Sequence, residues 1–209
     1  MKFQSFIFFR PVQEVYSNLL FVLLAVCCVA PLHATSVVEV TMEEMLQNSA
    51  LVFEGRVIDV KVHEHGNSSI QTRITFEVID VIKGNVKDKK ISLNFLGGEV
   101  ADRKLSVSNM HMPELNEQGI YFVESPERNL VQPLYGWSQG HLKIEKDPVG
   151  QERVFTRSGQ PVRGIEYTNG KRSGRLSHGA ARGLMLGDPG DNPAALGKQD
   201  FKQLLRAMQ

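Results

Sequence analysis

Apolar residues first recur at helical spacing, with Met42, Met45 and Leu46 on one face of a short helix. Thr41 and Glu44 have the spacing of a capping box, in which Thr41 accepts from the amide three residues on and Glu44 reaches back. Asn48 and Ser49 close that helix. From Leu51 the period changes to two. Leu51, Phe53, Gly55 and Val57 fall on one side of a strand, but from Ile58 the apolar set is Ile58, Val60 and Val62. The following strand does the same: Ile70, Ile74, Phe76 and Val78 are in phase, then Ile79 and Val81 take over. A buried set that changes parity requires a bulge or a strong bend, and two long strands that each slip once predict a small, curved barrel.

Turn chemistry divides the rest. His65 to Ser68 predicts a hairpin between these two strands, and Lys83, Gly84 and Asn85 the next turn. Ile91, Leu93 and Phe95 alternate in a third strand ended by Gly97 and Gly98, which serve backbone geometry. Val100 to Val107 is expected as a fourth strand, and Gly119 to Val123 as a short one buried on both faces. Leu142 and Ile144 alternate with His141, Lys143 and Glu145, and Arg153 to Thr156 pairs back across the turn at Asp147 to Gly150. Beyond Gly164 the composition turns to Gly, Ser, Arg and Pro. The expected organisation is therefore a β domain over 35–165, a linker over 166–199 and a helix over 200–209, capped by Asp200, with Phe201, Leu204, Leu205 and Met208 at helical spacing.

The first 34 residues change the picture of where the chain works. Lys2 and Arg10 precede the apolar run Leu19–Ala30, and Ala34 follows, the three parts of a cleaved secretory signal. The run is short of the roughly twenty apolar residues that span a bilayer. A retained anchor is the competing reading, since Phe6 to Phe9 lengthen the start and Leu32 is large for the position before cleavage. Lipidation at Cys27 or Cys28 fits poorly, because neither follows a small residue. Cleavage would leave about 175 of the 209 residues, enough for one core. It would also remove both cysteines, and with them any disulfide, thiolate metal site or thiol nucleophile. The formal charge of +1 is carried by Lys2, Arg10 and Glu14 together, so the remainder is near neutral and is no general nucleic-acid binder. An exported protein, periplasmic or secreted, with no stable membrane span after cleavage is the expectation.

Ser49–Val57 (SALVFEGRV), Thr72–Val78 (TRITFEV) and Val81–Gly84 (VIKG), with Gly97–Gly98 and Gly136–Gly140, resemble a widespread group of uncharacterised exported bacterial proteins. That group is similar in turn to the netrin-like fold of the tissue inhibitors of metalloproteinases, an OB-type barrel. The resemblance covers roughly Thr41 to Gly164. It implies a mainly β, OB-like barrel with a short helix before it and one after. It implies no activity: the inhibitors chelate the protease zinc through an N-terminal cysteine, and here Thr35 would come first.

Five features carry candidate chemistry. Gly136-Trp137-Ser138-Gln139-Gly140 matches the nucleophile-elbow string of serine hydrolases, yet the residues after it alternate as a strand where that motif needs a helix. A glycine-bounded turn with Trp137 packed on the barrel is the plainer reading. His63 and His65 lie two apart on one strand face and could begin a metal site that His111, His141 or His178 would complete, although a strand running into a turn normally presents solvated residues. Met110, His111 and Met112 lie in a loop and either take copper or plug an open barrel end. Asn67-Ser68-Ser69 fits a glycosylation acceptor, relevant only in a eukaryotic route. Arg157, Arg163, Lys171, Arg172, Arg175 and Arg182 form a basic run, read as solvated because no apolar face accompanies it.

The resulting expectation is a non-enzymatic, cofactor-free binding domain. It would meet an extracytoplasmic protein or other macromolecule through the loops His63–Ser69, Gly97–Arg103 and Ser108–Gln118. A hydrolase using Ser138 and a metal-binding protein using His63 and His65 are the alternatives.

Overall fold

Glu44 N–H donates to Thr41 Oγ1 at 3.0 Å, so the capping residue expected from the sequence starts α1 (Met42–Asn48). Met42, Met45 and Leu46 are all buried on its inner face. The computed structural model describes residues 37–65, 69–168, 174–190 and 194–209. The expected signal over 1–34, the glycosylation acceptor Asn67, the His65 side chain, Lys171 and Arg172 lie outside the described residues.

The long strands β1 (Leu51–His65) and β2 (Ser69–Lys83) pair antiparallel as a hairpin. Their register shows why the apolar phase slips. Val57 pairs with Phe76 and Asp59 with Thr75, leaving Ile58 as an extra residue; Gly55 pairs with Val78 and Glu54 with Asp80, leaving Ile79 extra. Each bulge returns the next apolar residue to the face it had left, so Val60 pairs with Ile74 and Val81 with Phe53. Beyond the first bulge β1 leaves the core, with Val60 and Val62 39% and 38% exposed, while Ile74 and Thr72 opposite them on β2, and Ile70 next along, stay buried.

The sheet continues through β3 (Lys90–Leu96) on one side and β6 (Gln118–Val123), β7 (His141–Lys146) and β8 (Glu152–Thr156) on the other, giving the order β3-β2-β1-β6-β7-β8. The architecture is mainly β with one short helix near each end of the described chain. No closed barrel is detected among the described residues. Closure would require the β3 and β8 edges to meet, and the chain's own later segments run along β8. Val154 N–H donates to Leu196 O at 3.0 Å, Arg153 bridges Gly197, and Phe155 bridges Pro161.

Residues 98–105 differ from the single strand expected there. They form a small hairpin of β4 (Gly98–Val100) and β5 (Arg103–Leu105), with Ala101 in the left-handed region at φ 49°. The stretch expected as a linker is also packed. There β9 (Val162–Ile165) pairs with β10 (Leu184–Leu186), and Ala181 and Ala195 are buried. The last helix, α2 (Lys198–Ala207), begins before Asp200, with Gly197 at its N-cap and Asp200 in its first turn. Phe201 and Leu205 are fully buried, while Leu204 is exposed.

Two apolar clusters lie on opposite faces of the sheet. One joins Val52, Ile120, Phe122, Leu142, Ile144 and Val154 to α1, α2 and Ala181. The other joins Phe53, Val57, Ile74, Phe76, Leu93, Phe95 and Tyr121, with Met110 and Met112 packed against it. Loop methionines that lie on a core are accounted for by packing. Phe53, Phe76 and Tyr121 form a ring triad with centroids 4.7–5.6 Å apart.

Candidate functional site

The turn after Leu134 is where the sequence raised its sharpest catalytic question. Gly136 has φ 68°, Trp137 φ 62°, and a single 3₁₀ turn, Trp137–Gly140, leads directly into β7. The residue of this string that does most structural work is Gln139, which is fully buried. Its Oε1 accepts from Val40 N–H, and its Nε2 donates to Val38 O and Gly136 O, each at 3.0 Å. The turn therefore docks the segment before α1. Ser138 is not lifted on a strand-to-helix corner, and among the described residues its hydroxyl makes no hydrogen bond to a histidine. An elbow needs both.

Ser138 nevertheless faces a cleft of ≈ 300 Å³ lined by His111, Ser138, Arg157, Ser158, His178 and Gly179. Four separate stretches of chain meet here: the loop before β6, the 3₁₀ turn, the β8–β9 turn and residues 178–179. Three of the sequence candidates, Ser138, His111 and His178, thus come together. Arg157 figured in the sequence only as part of a basic run. The signal that could have singled it out is its alternation with Phe155, which points it inward from the end of β8.

Beneath Arg157 lies a buried polar group. Tyr121 and His141 are cross-strand partners whose rings stack at 4.9 Å, and His141 Nε2 lies 2.6 Å from Glu117 Oε1. That contact is close without the alignment of a regular hydrogen bond. Burial pushes the His141 imidazole below 6.5, and the charges of Arg157 and Lys143 act the same way against the pull of Glu117. Burial alone would raise Glu117. Its contact with His141 and the charges of Arg157 and Lys143 outweigh that and hold it below 4.5. Burial, reinforced by the Glu117 charge, pushes the Tyr121 hydroxyl well above 10.0. At neutral pH the set is a carboxylate against a neutral imidazole and a neutral phenol. Alternation had placed His141 with the solvated residues; pairing with Tyr121 turns it inward.

His63 lies elsewhere, on the outer face of the β1–β2 hairpin in a shallow depression with Lys61, Val62 and Arg73. Two cations beside an imidazole repel a metal ion. Among the described residues no group of three or more His, Cys, Asp or Glu side chains gathers as a metal would require. No helix among them is long and apolar enough to cross a membrane.

Two of the three expected binding loops meet. Arg103 Nη1 donates to Glu64 Oε1 at 2.9 Å, latching the β4–β5 hairpin to the end of the β1–β2 hairpin. The third, Ser108–Gln118, lies over the second apolar cluster through Met110 and Met112 and delivers His111 to the cleft.

No protein-family model, no curated protein and no solved structure matches the chain.

Proposed function

We propose that this chain is an exported, non-enzymatic binding domain that engages an extracytoplasmic protein or other macromolecule at the end of the sheet where the β1–β2 and β4–β5 hairpins meet. The observation that carries the reading is the docking of the β4–β5 hairpin on β2, where Gly97 N–H donates to Ile70 O and Thr72 Oγ1 donates to Gly97 O, with Arg103 and Glu64 paired at the surface; it sets two independent loops side by side. The hairpin there carries half-exposed Val60 and Val62 on one face and Lys61, His63 and Arg73 on the other. Together they offer a partner exposed apolar area and a cationic patch, the two ingredients of a recognition surface. A narrower form, drawn from the resemblance to the metalloproteinase inhibitors, is modulation of a secreted protease without the zinc-chelating cysteine.

The test is capture on the immobilised full chain from its own extracytoplasmic fraction, in parallel with K61E/R73E. A protein retained by the wild type and lost by the variant supports the reading. Equal retention by both, or none by either, overturns it. Secreted metalloproteases whose activity is unchanged by micromolar protein would remove the narrower form.

One observation favours a second reading, hydrolysis through Ser138: the cleft brings that hydroxyl together with His111 and His178. A fluorophosphonate probe that labels the wild type and spares S138A would establish it. No labelling of the wild type ends it.

A further inference from the structure

The cleft at Ser138 is lined by hydrogen-bond donors. Arg157, His111, His178, Ser138 and Ser158 all face it, and among the described residues none of its lining side chains is a carboxylate. Their convergence comes from the fold, since they arise from four separate stretches of chain.

The guanidinium of Arg157 is held in place yet incompletely used. Its Nη2 lies 3.2 Å from Glu114 Oε1, and Glu114 is an exposed residue at the rim. Its Nε is buried and finds no acceptor among the described residues. Solvent is excluded from Nε, so a ligand in the cleft would meet the guanidinium through its charge and its terminal nitrogens, which an oxygen ligand would satisfy.

The anions already present do not fill this role. Glu117 lies beneath the cleft and is engaged by His141 at 2.6 Å and Lys143 at 3.8 Å. It feels the charge of Arg157 and is not among the described residues that line the cleft. Glu114 is mostly solvated and occupies one terminal nitrogen only. Ser158 Oγ lies 2.9 Å from Thr156 Oγ1, which fixes its position at the wall.

Other ligand classes fit less well. A metal cation would face a guanidinium, and an apolar molecule would strand five polar side chains. The volume of ≈ 300 Å³ takes a compact group and does not take a folded segment.

We propose that this cleft binds an oxyanion, a carboxylate or a phosphate, with Arg157 as its charge partner and the hydroxyls and imidazoles of Ser138, Ser158, His111 and His178 as the remaining donors. The planar guanidinium matches two oxygens of such a group at once. The same chemistry is offered by a free ion and by the C-terminal carboxylate of a peptide. The site lies apart from the hairpin end and does not depend on a partner binding there.

The test uses the full chain with labelled histidines, following the Cε1–H resonances of His111 and His178 at fixed pH and ionic strength. Inorganic phosphate, acetate, a short peptide with a free C-terminus and its amidated twin are added in turn. Both resonances should shift saturably with at least one oxyanion and remain still with chloride and with the amidated peptide. Affinity should fall at least about tenfold in R157Q, which loses the charge-assisted pair, and rise severalfold in E114Q, which frees Nη2. Glu114 is exposed, so E114Q keeps the test readable if R157Q fails to fold. Saturation by free ions assigns a small-anion site, and saturation by the free-acid peptide alone assigns a chain terminus. No saturable shift with any of the three, or equal affinity in wild type, R157Q and E114Q, overturns the proposal.

Discussion

Lys202 Nζ lies 2.5 Å from Glu54 Oε2, with the Lys202 side chain 3% exposed and that of Glu54 fully buried. This ion pair joins α2 to the middle of the sheet. It is the centre of a network in which Lys198 also binds Glu54, and Asp80 binds both Lys202 and Arg206. Gln118 Nε2 donates at 2.9 Å to Glu54 Oε1, the oxygen that Lys198 also binds. Glu54 thus has three donors, the condition under which a buried carboxylate is tolerated.

Removing one partner leaves uncompensated charge. Lys202→Met should lower stability by about 3–5 kcal/mol, measured by urea unfolding, because Glu54 and Asp80 both lose their shared cation. A loss below about 1 kcal/mol would mean that Lys198 and Arg206 carry the network without it.

The same network sets an acid limb. Burial alone would raise Glu54, but the hydrogen bonds and charges of Lys198 and Lys202 hold it below 4.5. Asp80 is held below 3.8 in the same way by Lys202 and Arg206. Groups lowered in the folded state bind protons more readily when unfolded, so their stabilisation is complete above those values and is lost as pH falls through the folded ones. His141, lowered from 6.5, has the same sign and begins the decline earlier. Stability should therefore fall gently below pH 6.5 and steeply below 4.5. His141→Gln should remove the gentle part and Glu54→Gln should flatten the steep one. Lys198, raised above 10.5, adds an alkaline limb that is lost as pH rises through its folded value.

Gln139→Ala should cost about 1–3 kcal/mol, because it strands the buried polar groups of the segment before α1. Ser138→Ala, one residue earlier, should change stability by less than about 0.5 kcal/mol. Thermal unfolding of the pair checks both. A larger effect at Ser138 than at Gln139 would contradict the docking of that segment by the Gln139 amide.

Gly98→Ala should be strongly destabilising. Gly98 has φ 136°, and a Cβ there would come within 2.5 Å of Val62 Cγ1 and 2.7 Å of Thr72 Oγ1. Strain and overpacking together should exceed about 2 kcal/mol. The variant should also release the β4–β5 hairpin, seen as faster amide exchange over residues 98–105. Unchanged exchange would separate hairpin docking from that contact.

The features legible in the sequence were those fixed by local periodicity. Ile58 and Ile79 could be read as bulges because a half-buried ribbon must keep its apolar residues on one side, and a change of parity has few other solutions. Thr41 was legible because its cap is made three residues away. What was hidden depends on distant chain. Ala181, Leu184 and Leu196 pack on the core from within a Gly- and Arg-rich stretch whose composition reads as linker. Ala101 in a left-handed turn gives no composition signal. His141 alternates as a surface residue and is turned inward by its cross-strand partner. The cleft was beyond reach for the same reason, as its lining residues share no spacing.

The way Leu196, Gly197 and Pro161 run along β8 has a consequence for handling the protein. Proline has no amide hydrogen to offer an incoming strand, so that flank is sealed against growth by the chain itself. The opposite flank, β3, is left to the lysines at 87, 89 and 90 for protection. Trimming the chain from Leu196 onward would therefore do more than remove Phe201 and Leu205 from the interior. It would uncover a second adhesive margin, and a truncated chain would be prone to self-association before it lost its sheet.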